Sequence, residues 1–289
     1  MSYSVERNAQ IIVSLLKQHG VRKVIISPGT TNIPIVLTLE NDPFFELYSS
    51  VDERSAAYMA CGMAATSGEP VALSCTGATA SRNYVPGLTE AFYRKLPVIA
   101  ITSFNGNRNI GQLLPQNLDR TVLQNDIARK SVQVPVVRDE GDALYCNRIV
   151  NDALLESTRN GGGPVHINVE TGYDPSTASG ELPRSRCIRR YTDPGVFPRI
   201  KPGRKIAVLV GAHRPFSPAE EEALGTFAQR YDAVVLRDHT SNYHGRNAFL
   251  GTLAADNTRP SDRELRPDLI IVIGEISGDY PTANFLAAT

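Results

Sequence analysis

Through the first 170 residues, short β-branched runs alternate with stretches of helical period. The runs are VRKVIIS (21–27), VALSC (71–75), LPVIAITS (96–103) and PVHINVE (164–170). Each is four to eight residues of near-continuous apolar character, as expected of a strand buried on both faces. Between them, residues 5–18 place Ile11, Ile12, Leu15 and Leu16 on one face and stop at Gly20. Residues 53–66 put Ala56, Ala57, Ala60, Met63 and Ala64 on a small-residue face, and 141–158 form a third amphipathic stretch ended by Gly161-Gly162-Gly163. Strand, helix, strand in this order implies an α/β protein: a doubly wound parallel sheet covered on both faces, three layers α/β/α.

The pattern breaks at about 171. Residues 171–204 are rich in Pro, Gly, Ser and Arg without a sustained period, which reads as a linker. A second α/β unit follows, with strands KIAVLVG (205–211), AVVLRD (233–238) and DLIIVIG (268–274) and a helix over 217–230. The residues stop at FLAAT (285–289), where a doubly wound domain would carry on, so the second domain is expected to be incomplete. The resulting division is 1–172, linker 173–203, and 204–289.

Charge and composition remove several function classes. Thirty Lys and Arg cancel thirty Asp and Glu, so net charge gives no reason to expect a nucleic-acid or anionic-membrane partner. No apolar run approaches the roughly 18 residues of a membrane span. MSYSVERNAQ lacks the basic and then apolar regions of a signal peptide, so the expected location is the cytoplasm. Cys61, Cys75, Cys146 and Cys187 form no Cys-x-x-Cys pair and read as reduced core thiols. His239 and His244 have no third ligand nearby, so no metal site is assigned to this chain.

Three segments could carry chemistry. SPGT (27–30) is a Pro-Gly turn at the carboxyl end of a strand, where open α/β sheets bind ligands; it is also simply a tight turn. VDERSAAYMACGMAATSGEP (51–70) opens a helix with Asp52, Glu53 and Arg54. Acidic residues there suit the helix dipole, yet Glu53 leads straight into a close-packed face and its carboxylate could point into a crevice. SCTGATASRNYVPG (74–87) is again a strand, a small-residue turn and a helix, able to present backbone N–H groups. It holds neither G-x-G-x-x-G nor a P-loop, and VGAHRPFS (210–217) also falls short of the dinucleotide pattern.

The order and spacing are more specific than any one segment. ISPGTTNIPI (26–35), VDERSAAYMACGMAATSGEPVALSCT (51–76), the T-G-A-T-x-x-x-N run (76–83) and LPVIAITS resemble the pyrimidine-binding domain of thiamine-diphosphate-dependent enzymes. Within that superfamily they look most like the menaquinone-pathway synthases, and more loosely like the acetolactate synthase and 2-oxo acid decarboxylase group. The resemblance covers roughly 20–170; residues 204–289 resemble the superfamily's central domain more weakly.

The resemblance implies a thiamine-diphosphate-dependent decarboxylase or carboligase acting on a 2-oxo acid. Glu53 would be the catalytic glutamate that hydrogen-bonds N1′ of the cofactor's aminopyrimidine. Pro28 and Gly29 would line the pocket near the reacting carbon, and Thr76, Gly77 and Asn83 would border the pyrimidine or hold the loop that does; Asn83 could instead cap the following helix. Thr30 and either Gln112 or Gln116 would face substrate. Two departures stand out: Thr30-Thr31 replaces a Ser-Arg pair, and SFNGNRN (103–109) replaces an Ala-Asp-Arg-Pro-like segment. The diphosphate and Mg²⁺ are held in this superfamily by a Gly-Asp-Gly…Asn motif, which neither GDAL (141–144) nor GDYP (278–281) continues. A diphosphate-binding domain, on the same polypeptide beyond 289 or on a second subunit, is therefore an expected partner. The assembly would be a homo-oligomer, and this chain alone would be inactive. The alternatives are a non-catalytic assembly or binding subunit that keeps the fold, and a nucleotide binder acting through 205–289.

Overall fold

The computed structural model describes residues 2–245, 248–258, 262–275 and 279–287. Contacts divide the chain into two compact units, Met1–Thr192 and Asp193–Thr289.

The first unit runs β1 (Ser2–Ser4), α1 (Arg7–Gln18), β2 (Lys23–Ile26), α2 (Ile33–Glu40), β3 (Glu46–Ser49), α3 (Glu53–Ser67), β4 (Val71–Cys75), α4 (Ala78–Asn83), α5 (Val85–Arg94), β5 (Val98–Phe104), β6 (Lys130–Val134), α6 (Glu140–Glu156), β7 (Val165–Glu170) and β8 (Thr177–Ser179). Six strands form one sheet in the order β3-β2-β4-β5-β7-β6, parallel throughout. A single row crosses it as Ile25, Leu73, Ala100, His166 and Ser131. Alternate strand residues point to opposite faces. Val24, Ile26, Ala72, Ile99 and Ile101 pack with α1, α2 and α6, whereas Ile25, Leu73, Val98 and Ala100 pack with α3 and α5. The three-layer α/β/α arrangement follows from this two-sided burial.

The four apolar runs are β2, β4, β5 and β7. Strands β3 and β6 carry no such run and flank them at the two edges of the sheet. ELYS is only half-buried, and KSVQV alternates polar with apolar residues.

Helix α3 shows how the small-residue face works. Asp52 caps it, Gly68 ends it in the left-handed region at φ +69°, and Ala56, Ala57, Ala60, Cys61 and Ala64 are buried. A Cβ on Gly87 of α5 would lie 2.5 Å from the Ala57 Cβ, so the two helices cross too closely for any larger residue. Met63 is only partly buried beside them.

The segment after β7 is fastened to this unit rather than hanging from it. β8 pairs antiparallel with β1. Gln18 donates to the Ser185 carbonyl, Ser14 Oγ accepts from Ser185 N–H, and Asn151 both accepts from Ile188 N–H and donates to the Arg186 carbonyl. Leu182 and Cys187 pack on the core beneath. Composition alone marks this stretch as irregular but not as bound.

The second unit holds β9 (Ile206–Val210), α7 (Pro218–Tyr231), β10 (Val234–Arg237), β11 (Ala248–Leu250), α8 (Gly251–Asp256), β12 (Leu269–Ile273) and α9 (Tyr280–Ala287). Its four strands are parallel in the order β11-β10-β9-β12. Ser217 and Glu220 form a capping box that starts α7. Of the expected Gly-Asp pairs, GDAL begins within α6 of the first unit, while Gly278 of GDYP lies outside the described residues.

Candidate active site

In an open parallel sheet, ligands bind past the carboxyl ends of the strands where the chain reverses its direction of winding. Here the chain leaves β2 for β3 on one side and then returns to β4 on the other, which puts that reversal between β2 and β4. The turns that follow these two strands are Ser27-Pro28-Gly29 and Thr76-Gly77, so topology brings together two of the motifs read from sequence. They touch: a Cβ on Gly29 would overlap the Thr76 methyl.

Thr31 locks this corner. Its hydroxyl donates to the Ser103 carbonyl at 3.1 Å and accepts from Gly77 N–H at 3.3 Å, while its own carbonyl accepts from Thr171 Oγ1 at 2.7 Å. One residue, through its hydroxyl and its carbonyl, thus ties the ends of β2, β4, β5 and β7. Beneath it, buried Asn32 donates to the Ser27 carbonyl and to Ser74 Oγ. Pro28 and Thr30 are exposed at the mouth, and a cavity of about 330 Å³ opens beside the turn between Gly29, Val36, Leu47 and Tyr48. That cavity reaches Pro28 and Gly29 but not Glu53.

Glu53 is the first residue of α3. The helix end is satisfied by its neighbour, since Asp52 accepts from Arg54 N–H at 2.9 Å and from Ser55 Oγ at 3.1 Å. These bonds hold the Asp52 carboxyl below its ordinary range. Glu53 is consequently free for other work. It is half-buried, and its Oε2 accepts from Asn83 Nδ2 at 3.3 Å. That contact overturns the capping alternative for Asn83: the cap position of α5 is Tyr84, with no side-chain cap bond, and Asn83 faces Glu53 instead. Close by, burial holds the Tyr84 hydroxyl well above its usual value and pushes the Cys75 thiol up to about 12, with the Glu53 charge a smaller contribution to both.

The structure therefore groups Pro28, Gly29, Thr76 and Gly77 at one crevice and pairs Glu53 with Asn83. It does not tie either glutamine to them. Gln112 and Gln116 are exposed on the long segment between β5 and β6, and among the described residues neither side chain makes a hydrogen bond. Gln116 sits at φ +60° and Leu113 at φ +59°, left-handed positions that hold this segment in a succession of tight turns. Sequence reasoning missed Thr31, Asn32 and Tyr84; the only trace of the first two was their place directly after a Pro-Gly turn.

Residues 7–132 match the family described as thiamine pyrophosphate enzyme, N-terminal TPP binding domain. This segment belongs to the thiamine pyrophosphate enzymes. The match runs from the start of α1 into β6, taking in Pro28, Gly29, Thr31, Glu53, Thr76, Gly77 and Asn83, and stops before β7 and Thr171. Curated relatives agree. A 2-succinyl-5-enolpyruvyl-6-hydroxy-3-cyclohexene-1-carboxylate synthase of Bacteroides thetaiotaomicron is 41% identical over 198 residues, covering 68% of this chain and 36% of the relative. The synthase of that name from Porphyromonas gingivalis is 30% identical over 291 aligned positions, 94% of this chain and 49% of the relative. A Geobacillus kaustophilus synthase of that name is 34% identical over 163 residues. The matched stretches span 28–49% of these relatives' length. Among the described residues no helix is long and apolar enough to cross a membrane, and no group of three or more His, Cys, Asp and Glu side chains is placed to hold a metal.

Proposed function

We propose that the first unit is the aminopyrimidine-binding half of a thiamine-diphosphate-dependent enzyme that decarboxylates a 2-oxo acid and joins the remainder to an acceptor. The observation that carries this reading is the Glu53–Asn83 pair, which joins the head of α3 to the end of α4, the helix started by the Thr76-Gly77 turn. The residues fit the aminopyrimidine end of the cofactor. A carboxylate relieved of capping duty is half-open to solvent, with one amide to orient it, and that amide ends α4, the helix that the Thr76-Gly77 turn starts.

When bound, thiamine diphosphate supplies a thiazolium ring that accepts the electrons released as carbon dioxide leaves. Glu53 holds a shared proton at N1′ of the aminopyrimidine. Asn83 fixes the orientation of Oε2 for that task. Gly29, Gly77 and the Thr31 lock keep the opposite wall close and rigid. The diphosphate and Mg²⁺ we assign to a partner domain, on the same polypeptide or on a second subunit of a homo-oligomer working in the cytoplasm. The 2-oxo acid approaches from the side of Pro28 and Thr30.

Exchange of the cofactor's C2 proton tests the reading directly. In protein assembled with its diphosphate-binding domain, Glu53→Gln is expected to slow that exchange by roughly 10²–10⁴-fold, the usual contribution of one acid–base group. Near-wild-type exchange in this variant would overturn the role of Glu53. Absence of any saturable heat when thiamine diphosphate and Mg²⁺ are titrated into the wild-type assembly would favour a non-catalytic assembly subunit instead.

A further inference from the structure

Arg120 lies in the irregular segment between β5 and β6, where Gln116, Leu118, Asp119 and Thr121 are all exposed, yet it is itself only 3% exposed. Its guanidinium stacks on the Phe104 ring at 5.1 Å. Nη2 abuts the Gly77 turn, 3.3 Å from where a Cβ on that glycine would stand. Among the described residues, Nε and Nη1 have no hydrogen-bond partner, and no carboxylate pairs with the group. Burial holds the guanidinium down, to about 10.

The placement is built rather than incidental. Arg82 donates to the Asp119 carbonyl at 2.8 Å and Gln133 to the Arg120 carbonyl at 3.2 Å, so both peptide groups around the residue are pinned. Behind Gln133 runs a chain of buried side chains: Asn168 donates to Gln133 at 2.6 Å, and Thr102 donates to Asn168 at 3.0 Å. A neutral side chain would stack on Phe104 equally well, whereas a desolvated, unpaired cation is among the most expensive groups a protein can carry. Such a group is stabilised by an anion.

We propose that Arg120 is an oxyanion anchor at the Gly77 turn, taking a carboxylate; the further identification of that carboxylate with the 2-oxo acid rests on the function proposed above. Planar carboxylates suit the guanidinium fork, and among the described residues Nε and Nη1 of this fork have no partner.

Thermal unfolding of the 289-residue chain in sodium acetate against sodium chloride of equal ionic strength tests the anchor without cofactor. Acetate is expected to raise the wild-type Tm beyond chloride and to leave Arg120→Met unmoved. In chloride alone, Arg120→Met is expected to melt above wild type by about 2–4 °C, because it removes a buried unpaired charge and keeps the stacking. Should that variant fail to fold, Arg120→Lys serves: its acetate midpoint is expected to rise by about tenfold, since a point charge replaces a fork. An acetate shift that survives Arg120→Met, or a wild type that responds alike to both salts, overturns the proposal. Thiamine diphosphate titration reads the proposed function separately, so an acetate effect without cofactor binding leaves the anchor standing and removes only the 2-oxo acid.

Discussion

Replacing Gly29 with alanine should destabilise the first unit through a single contact, and the partner of that contact can be removed independently. Gly29 has φ 177°, extended backbone open to any residue, so the substitution carries no conformational strain. Its whole cost is steric: the new methyl overlaps the Thr76 methyl, with Thr76 Cβ at 3.3 Å and Oγ1 at 3.4 Å behind it. Overpacking of one methyl costs about 1–3 kcal/mol, and the smaller conformational freedom of alanine in the unfolded chain returns roughly 0.4–1 kcal/mol. The net expectation is a loss of about 1–2 kcal/mol, or a Tm drop of roughly 2–8 °C for a domain of this size. Thr76→Ser alone removes the obstructing methyl and should cost at most about 0.8 kcal/mol. In the double variant the nearest atoms are those at 3.3 and 3.4 Å, which a shift of a few tenths of an ångström accommodates. It should therefore be little worse than Thr76→Ser, a favourable coupling of about 1–2 kcal/mol. Urea unfolding of the four proteins, followed by circular dichroism with m-values compared, measures that coupling directly. Additivity within about 0.5 kcal/mol would show that the two turns do not meet, and with that the crevice as described would fall.

Two further outcomes follow from groups buried in the first unit. Burial lowers His166 from 6.5 to about 3, with both ring nitrogens engaged by Thr102 and Ser131. Because the unfolded chain binds this proton first, stability is fully present above pH 6.5 and falls by up to about 1.4 kcal/mol per pH unit toward pH 3; His166→Gln should flatten the slope between pH 6.5 and 5 in urea titrations, and an unchanged slope would refute the assignment. Burial also raises the Cys61 thiol to about 11 and those of Cys75 and Cys146 to about 12, whereas Cys187 is half-buried. An Ellman titration at pH 8 should find one accessible thiol in the native protein and four after unfolding; two or more fast thiols would contradict the packing.

What could be read from sequence was decided by which local signals survive without context. Strands β2, β4, β5 and β7 announce themselves because a strand buried on both faces is apolar at nearly every position, as Val71–Cys75 is apart from Ser74. Edge strands obey no such requirement, and ELYS and KSVQV pass for loop. The Pro-Gly and Thr-Gly turns were legible because only glycine tolerates the approach of Gly29 to Thr76 and of Gly77 to the Ser103 carbonyl. The partner of Asn83 was not legible, since helix capping and a bond to Glu53 call for the same side chain. Arg120 was invisible for a different reason. An arginine among Pro, Gln, Asn and Asp reads as solvated, and only the contacts of Gln133, Arg82 and Phe104 reveal that it is enclosed. Position 31 illustrates the same limit: a threonine stands where the family resemblance has an arginine, and a cation reaches the adjoining Gly77 turn from a segment nearly ninety positions later in the chain.

The pairing of β1 with β8 has a mechanical consequence. Ser2 faces Ser179 and Ser4 faces Thr177, so the residues before α1 and those after β7 lie on the same rungs. Tension applied between those two points loads one rung at a time, like a zipper, rather than shearing all three together. Once the rungs open, the Val5–Ser176 hydrogen bond and the grip of the Glu6 carboxylate on the Gly172 and Asp174 N–H groups come under the same load. A pull on the residues before β1 would therefore peel this seam first, whereas a pull from beyond residue 190 must first strip the contacts of Ser185, Arg186 and Ile188.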